Sequence, residues 1–149
     1  MIIRMAELSD IGQCAELSKR FYEVAGYSEH VELCEESITD WLEISIDQGL
    51  TFVADVDGIL VGMAVAIYSP FIMNKNYKTG AELAWWVDPE YRGTSAGIKL
   101  LKALEDRARR IGIKFWSMMC LESLSPDAVG GMYEKMGYKQ TERTYMKVF

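Results

Sequence analysis

Val87-Asp88-Pro89-Glu90-Tyr91-Arg92-Gly93-Thr94-Ser95-Ala96-Gly97-Ile98-Lys99-Leu100-Leu101 is the stretch that decides how this chain is read. An apolar, aromatic run from Ala84 to Val87 is stopped by Asp88-Pro89, and a glycine-bearing turn leads into an amphipathic helix. Small residues let the backbone close tightly, and the unpaired N–H groups of the new helix point at the same place. That combination suits an anion, phosphate above all. An ordinary strand–turn–helix junction has the same outline, so the surroundings must decide.

The helix after the turn places Ile98, Leu101, Leu104, Ala108 and Ile111 on one face and most of its charges on the other. Glu105–Arg109 and Asp106–Arg110 have the favourable i,i+4 order, and Gly112 is placed to end the helix. Upstream, Leu50–Asp55 and Ile59–Tyr68 are β-rich runs around Val56-Asp57-Gly58, a hairpin signal. Ser69–Lys78 reads as a polar loop and Ala81–Val87 as the next strand. Towards the N-terminus, Ile2–Ala6 suits a first strand, and Ser9 is placed to cap a helix ending near Tyr22. A second helix is expected over Val31–Asp47, with Ile38, Trp41, Leu42 and Ile46 at helical spacing.

Downstream, Lys114–Leu121 reads as a strand. Pro126 opens a last helix carrying Val129, Met132, Tyr133 and Met136, and Tyr138–Phe149 is expected to supply one or two closing strands. The order β-α-α-β-β-β-α-β-α-β describes an α/β (α+β) domain, a mixed sheet with helices on its faces. No linker or repeat divides the 149 residues, so 1–149 reads as one domain.

Half the residues are apolar, about a quarter are charged, and the net charge is −6. That balance disfavours nucleic acid as a generic partner and favours a cationic one. No apolar run approaches the roughly 20 residues that span a bilayer. One histidine and three scattered cysteines offer no metal-ligand spacing, so no metal is expected. The cysteines read as reduced thiols, and the expected location is the cytoplasm.

The two ends of the second half, Val87-Asp88-Pro89-Glu90-Tyr91-Arg92-Gly93 and Tyr133-Glu134-Lys135-Met136-Gly137-Tyr138, resemble motifs of the GNAT superfamily of acyl-CoA-dependent N-acyltransferases. The likeness is to its small single-domain members, and it covers nearly the whole chain. It implies a mostly antiparallel mixed sheet with splayed central strands. Arg92 and Gly97 fit the family's pyrophosphate loop, Arg/Gln-x-x-Gly-x-Gly/Ala, with Ser95 where glycine is usual.

The resemblance implies acetyl-CoA as co-substrate, its pyrophosphate held by Arg92, Gly93, Thr94, Ser95, Ala96 and Gly97. Trp85, Trp86 and Val87 would offer backbone groups to the pantetheine and to the oxyanion that develops on attack. Ser125 stands near the place where the family often carries an asparagine for the pantetheine arm. Tyr133 matches the family's general acid, beside the departing sulfur. Glu82 is placed where several members carry a carboxylate that deprotonates the amine; an outward-facing charge on a half-exposed strand is the other reading. Tyr22, Tyr27, Glu29 and Glu32 are candidates to line the acceptor pocket, and His30 reads as a bystander.

The expected activity is acetyl transfer from acetyl-CoA directly to a primary amine of an amine-bearing, possibly cationic, acceptor. A homodimer is possible. Two alternatives stay open: a non-catalytic acyl-CoA-binding domain, and an RNA- or ribosome-directed acetyltransferase.

Overall fold

Five strands lie side by side in chain order: β1 (Ile2–Met5), β2 (Thr51–Val56), β3 (Ile59–Phe71), β4 (Asn74–Val87) and β5 (Ile113–Ser117). The first four pair antiparallel, and β5 runs parallel to β4. The computed structural model describes all 149 residues. Strand periodicity sends alternate residues to opposite faces, so Val53 and Met63 enter one core while Ala54 and Ala64 enter the other. Helices α1 (Ile11–Val24) and α2 (Glu35–Asp47) cover the first face through Cys14, Leu17 and Leu42. Helix α3 (Ala96–Arg110) covers the second through Ala96, Leu100 and Leu104, and α4 (Pro126–Lys135) follows β5.

The chain therefore folds as the mixed α/β sheet that the sequence predicts, except that the strand expected over Lys114–Leu121 runs only from Ile113 to Ser117 and the last element is missing. Tyr138–Phe149 forms no strand, and Tyr145, Met146 and Phe149 are exposed. The reason is visible in the residues. Lys139-Gln140-Thr141-Glu142-Arg143-Thr144 contains no apolar side chain to bury, and Tyr145 and Met146, being adjacent, would face opposite ways in a strand.

A second difference lies at Ser69–Lys78, which is a hairpin tip rather than a loop. β3 continues to Phe71 and β4 starts at Asn74. Pro70 is tolerated because β3 has no further neighbour there. β2 pairing stops at Val65, and the Gln48 side chain accepts from Tyr68 N–H at 2.8 Å and donates to its carbonyl at 3.2 Å.

Helix starts also differ in detail. Ser9 caps nothing: Glu7 and Asp10 form a capping box on the short 3-10 turn Leu8–Asp10 that leads into α1, and Asp10 accepts from Arg4 at 2.7 and 2.9 Å. The second helix starts at Glu35, four residues later than expected. Asp57 and Gly58 both have positive φ, the conformation that a two-residue hairpin turn demands. Arg109 meets Asp106 at 3.1 Å and Glu105 at 4.0 Å. The expected Asp106–Arg110 contact is not made.

Candidate functional site

β4 has two different halves. From Lys78 to Ala81 it is paired on both edges, with β3 on one side and β5 on the other. From Glu82 to Val87 only β3 remains, because β5 ends at Ser117. The register between β3 and β4 slips here: Ala66 faces Glu82 while Val65 faces Ala84, leaving Leu83 as an extra residue. Such a bulge puts two consecutive side chains on one side of the sheet. Leu83 and Ala84 both pack towards the α1–α2 core, and Glu82 turns towards the side where Trp85, Met119 and Val129 lie.

Glu82 is 5 % exposed. Its one hydrogen-bond partner is the Met119 N–H, which donates to Oε2 at 3.1 Å. Burial outweighs that bond and pushes the carboxyl up to about 7. The carbonyl of the same Met119 accepts from the Tyr133 hydroxyl at 3.0 Å. One residue thus ties the two predicted acid–base groups together, N–H to Glu82 and C=O to Tyr133. Burial, and then the nearby Glu82, hold the Tyr133 phenol well above its usual range, so it keeps its proton at neutral pH.

Which backbone groups face the open edge follows from strand alternation. Asp88 N–H donates to Val61 C=O at 2.9 Å, so Trp86 and Ala84 also point their amides at β3. Trp85 and Val87 point theirs the other way, into the opening. Trp86 is therefore not available along that edge. Its side chain lies in the α1–α2 core, its indole N–H donates to Asp88 at 2.8 Å, and Arg92 stacks on its ring at 4.6 Å. The Val87 carbonyl is already taken by Arg92 Nε at 2.9 Å, which leaves Val87 N–H and both polar groups of Trp85. Asp88 is fastened further by Arg20 at 2.6 Å, a link between distant positions that local pattern cannot reveal.

Beyond the turn, the N–H groups of Gly93, Ser95, Gly97 and Ile98 make no hydrogen bond within the chain, while Ala96 N–H donates to Thr94 Oγ1 at 3.2 Å. Four free donors at the start of a fifteen-residue helix form an anion cradle. Each small residue in it has its own cause. Gly93 has φ +80°, which glycine adopts without strain. Ser95 has φ −77° and ψ 1°, a conformation any residue reaches, so serine there distorts nothing. At Gly97 a Cβ would lie 2.9 Å from Trp85 Cζ2, so this glycine also answers to the packing of Trp85. The Trp85 indole N–H is buried with no partner.

Ser125 caps α4 at φ +52°, a left-handed conformation uncommon for serine, and its carbonyl accepts from Ala128 and Val129 at 3.1 and 3.2 Å. The cavity at Glu82 measures about 90 Å³ and is lined also by Phe21, Tyr27, Leu83 and Cys120. Tyr27 is thus brought to the site. Tyr22 donates its hydroxyl to Val31 C=O instead, and His30, Glu29 and Glu32 are exposed. Phe21 and Cys120 are absent from the sequence-derived site, since nothing local marks them. Partial desolvation, and after it nearby carboxylates, raise the Cys120 pKa, which disfavours the thiolate.

An anion cradle, a bare strand edge with peptide-like donors and acceptors, and a buried carboxyl–phenol pair suit an extended ligand with an anionic group at one end and a reacting group at the other.

Comparison with known proteins names the likeness. The acetyltransferase (GNAT) family model matches residues 12–138. No curated protein matches the chain in sequence. Among solved structures, a ribosomal-protein-alanine N-acetyltransferase from Brucella melitensis biovar Abortus 2308 superposes with TM-score 0.73 at 17% identity, covering 100% of both chains. An acetyltransferase from Clostridium acetobutylicum, solved with acetyl-CoA, gives 0.75 at 18% identity over 98% of this chain and 94% of the other. An aminoglycoside acetyltransferase from an uncultured soil metagenomic sample gives 0.75 at 15% identity, covering 99% and 96%. At these identities the likeness is one of fold.

Proposed function

Because the chain belongs to the acetyltransferase (GNAT) family, and so to the acyltransferases, we propose that it moves an acetyl group from acetyl-CoA directly to a primary amine. The observation that carries this reading is the join at Met119, where a buried carboxyl and a buried phenol share one residue at the end of an unpaired strand edge.

Bound acetyl-CoA supplies the activated thioester. The free amides of Gly93, Ser95, Gly97 and Ile98 hold its pyrophosphate, and the backbone of Trp85 runs beside the pantetheine. Val87 N–H is the donor offered to the thioester oxygen. Amines arrive protonated at neutral pH, and Glu82, poised near 7, takes that proton. Tyr133 stays protonated and holds the proton that the departing sulfur needs. Ser125, at the cap of α4, belongs to the same cofactor wall. In this reading residues 1–149 act as one domain in the cytoplasm, without a metal; no helix is long and apolar enough to cross a membrane.

The experiment is initial-rate measurement with acetyl-CoA across a panel of amines, alongside calorimetric CoA binding. Transfer to at least one amine is expected. CoA binding with no transfer to any amine would leave only a binding domain. Exposed Cys34 and Cys120 would react with a thiol reagent, so loss of thioester absorbance is the suitable readout.

A further inference from the structure

A second cavity, of about 310 Å³, lies on the α1–α2 side of the sheet. Its walls are apolar, from Ile38, Trp41 and Leu42 of α2 and from Val65, Leu83 and Ala84 of the sheet. Two serines, Ser18 and Ser37, complete it, and Ser18 already donates to the Cys14 carbonyl at 3.0 Å. No carboxylate lines it. Glu16 and Glu35, on the same two helices, are both paired with Lys19.

The cavity adjoins the one at Glu82. Leu83, the bulged residue, lines both. Ser18 lines the first and Phe21 the second, one turn further along α1 on the same face. Leu83 and Phe21 thus stand between a molecule seated against α2 and Glu82, at the stretch of β4 whose far edge carries no strand.

Building on the acetyl-transfer reading above, we infer that the acceptor is a compact primary amine whose body is neutral and apolar, of the size of an arylalkylamine, held in the α1–α2 cavity. Size supports this. An apolar protein cavity of roughly 150 Å³ holds a benzene ring, so this one accommodates a ring with a short linker. Charge supports it too. A polyamine or aminoglycoside would bring further ammonium groups against walls that offer no counter-charge, and burying them unpaired is costly. Trp41, half exposed, supplies an aromatic surface at the mouth.

Two measurements test this together: calorimetric binding of 2-phenylethylamine without acetyl-CoA, and thioester loss with 2-phenylethylamine, putrescine and kanamycin as acceptors. We expect 2-phenylethylamine to exceed both polycations by about 10–100-fold in kcat/KM, the range that burial of one ring supports. Ser37→Trp fills the cavity from an exposed position and should fold normally. It should weaken 2-phenylethylamine binding and raise its KM by about 10-fold or more, leaving the KM for acetyl-CoA unchanged. Trp41→Ala, which removes the aromatic wall, should weaken the same binding.

Acetylation of putrescine or kanamycin with no binding of 2-phenylethylamine would overturn the inference and leave the acetyl-transfer reading standing. Binding of 2-phenylethylamine that Ser37→Trp abolishes, with no amine acetylated, would do the reverse. Binding that Ser37→Trp leaves intact would remove the cavity as its seat.

Discussion

The two halves of β4 share one backbone and one partner strand, yet they differ in every property that bears on function. Over Lys78–Ala81 both edges are paired, and Gly80 lets the Trp116 ring lie almost on the backbone: a Cβ there would be 2.8 Å from Trp116 Cε3. Over Glu82–Val87 one edge is bare, a bulge rotates the side chains, and a carboxyl is buried with one N–H for company. A bare edge is a liability that proteins usually cover. Here it leads straight to four free amides at the start of α3.

The comparison breaks first if the loop does not serve the bare half. Ser95→Asp puts a carboxylate among the free donors, where helix N-termini favour negative charge, so stability should hold or rise slightly. Acetyl-CoA affinity should nevertheless fall by about 1,000-fold, the scale of a like charge a few ångströms from the pyrophosphate. Unchanged affinity by calorimetry would detach the loop from the cofactor. Gly97 is a poorer position for this test, because any side chain there also strikes Trp85.

Next in size is Glu82→Gln, expected to cost about 100-fold in kcat, within the range for general acid–base groups. It should also erase the limb of the pH–rate profile that rises through about 7 in the parent protein. Stability should move the other way. The carboxyl has a higher pKa folded than unfolded, so its stabilising contribution is complete below about 4.5 and is lost as pH rises through about 7. Glu82→Gln should therefore melt higher than the parent at pH 8 and lose that advantage at pH 4. A profile and melting curve like the parent's would dismiss Glu82 as the base.

Tyr133→Phe should lower kcat by roughly 10-fold or more and change acetyl-CoA affinity little, as for one proton donor. Equal turnover would end its role as acid. The smallest effect on activity is expected in the paired half. Gly80→Ala should cost about 1–3 kcal/mol of stability through overpacking against Trp116, with kcat/KM per folded molecule unchanged. A loss of turnover there would erase the distinction between the halves.

The loop and the turns are legible because their signals are local, whereas the paired half of β4 is not: Lys78 reads as the end of a loop and the strand only from Ala81. Small residues at a helix start, Asp57-Gly58 between β-rich runs and Pro126 at the first turn of α4 each act within a few residues. The bulge at Leu83 is not legible either, since it exists only in the register between β3 and β4, and that register sets the face Glu82 occupies. The two bonds made by Met119 are equally hidden: they run through its backbone, to which side-chain pattern is blind. Trp86 reads with its neighbours along the strand, and alternation separates it from them. The closing strands failed because strand propensity without a face to bury does not make a strand.

Amide hydrogen exchange along β4 and the following loop, with and without CoA, tests the central claim most directly. CoA should slow exchange at Trp85, Val87, Gly93, Ser95 and Gly97 while leaving Thr79–Ala81, already paired on both edges, as slow as before. Protection spread evenly over β4, or none at Trp85 and Val87, would contradict it.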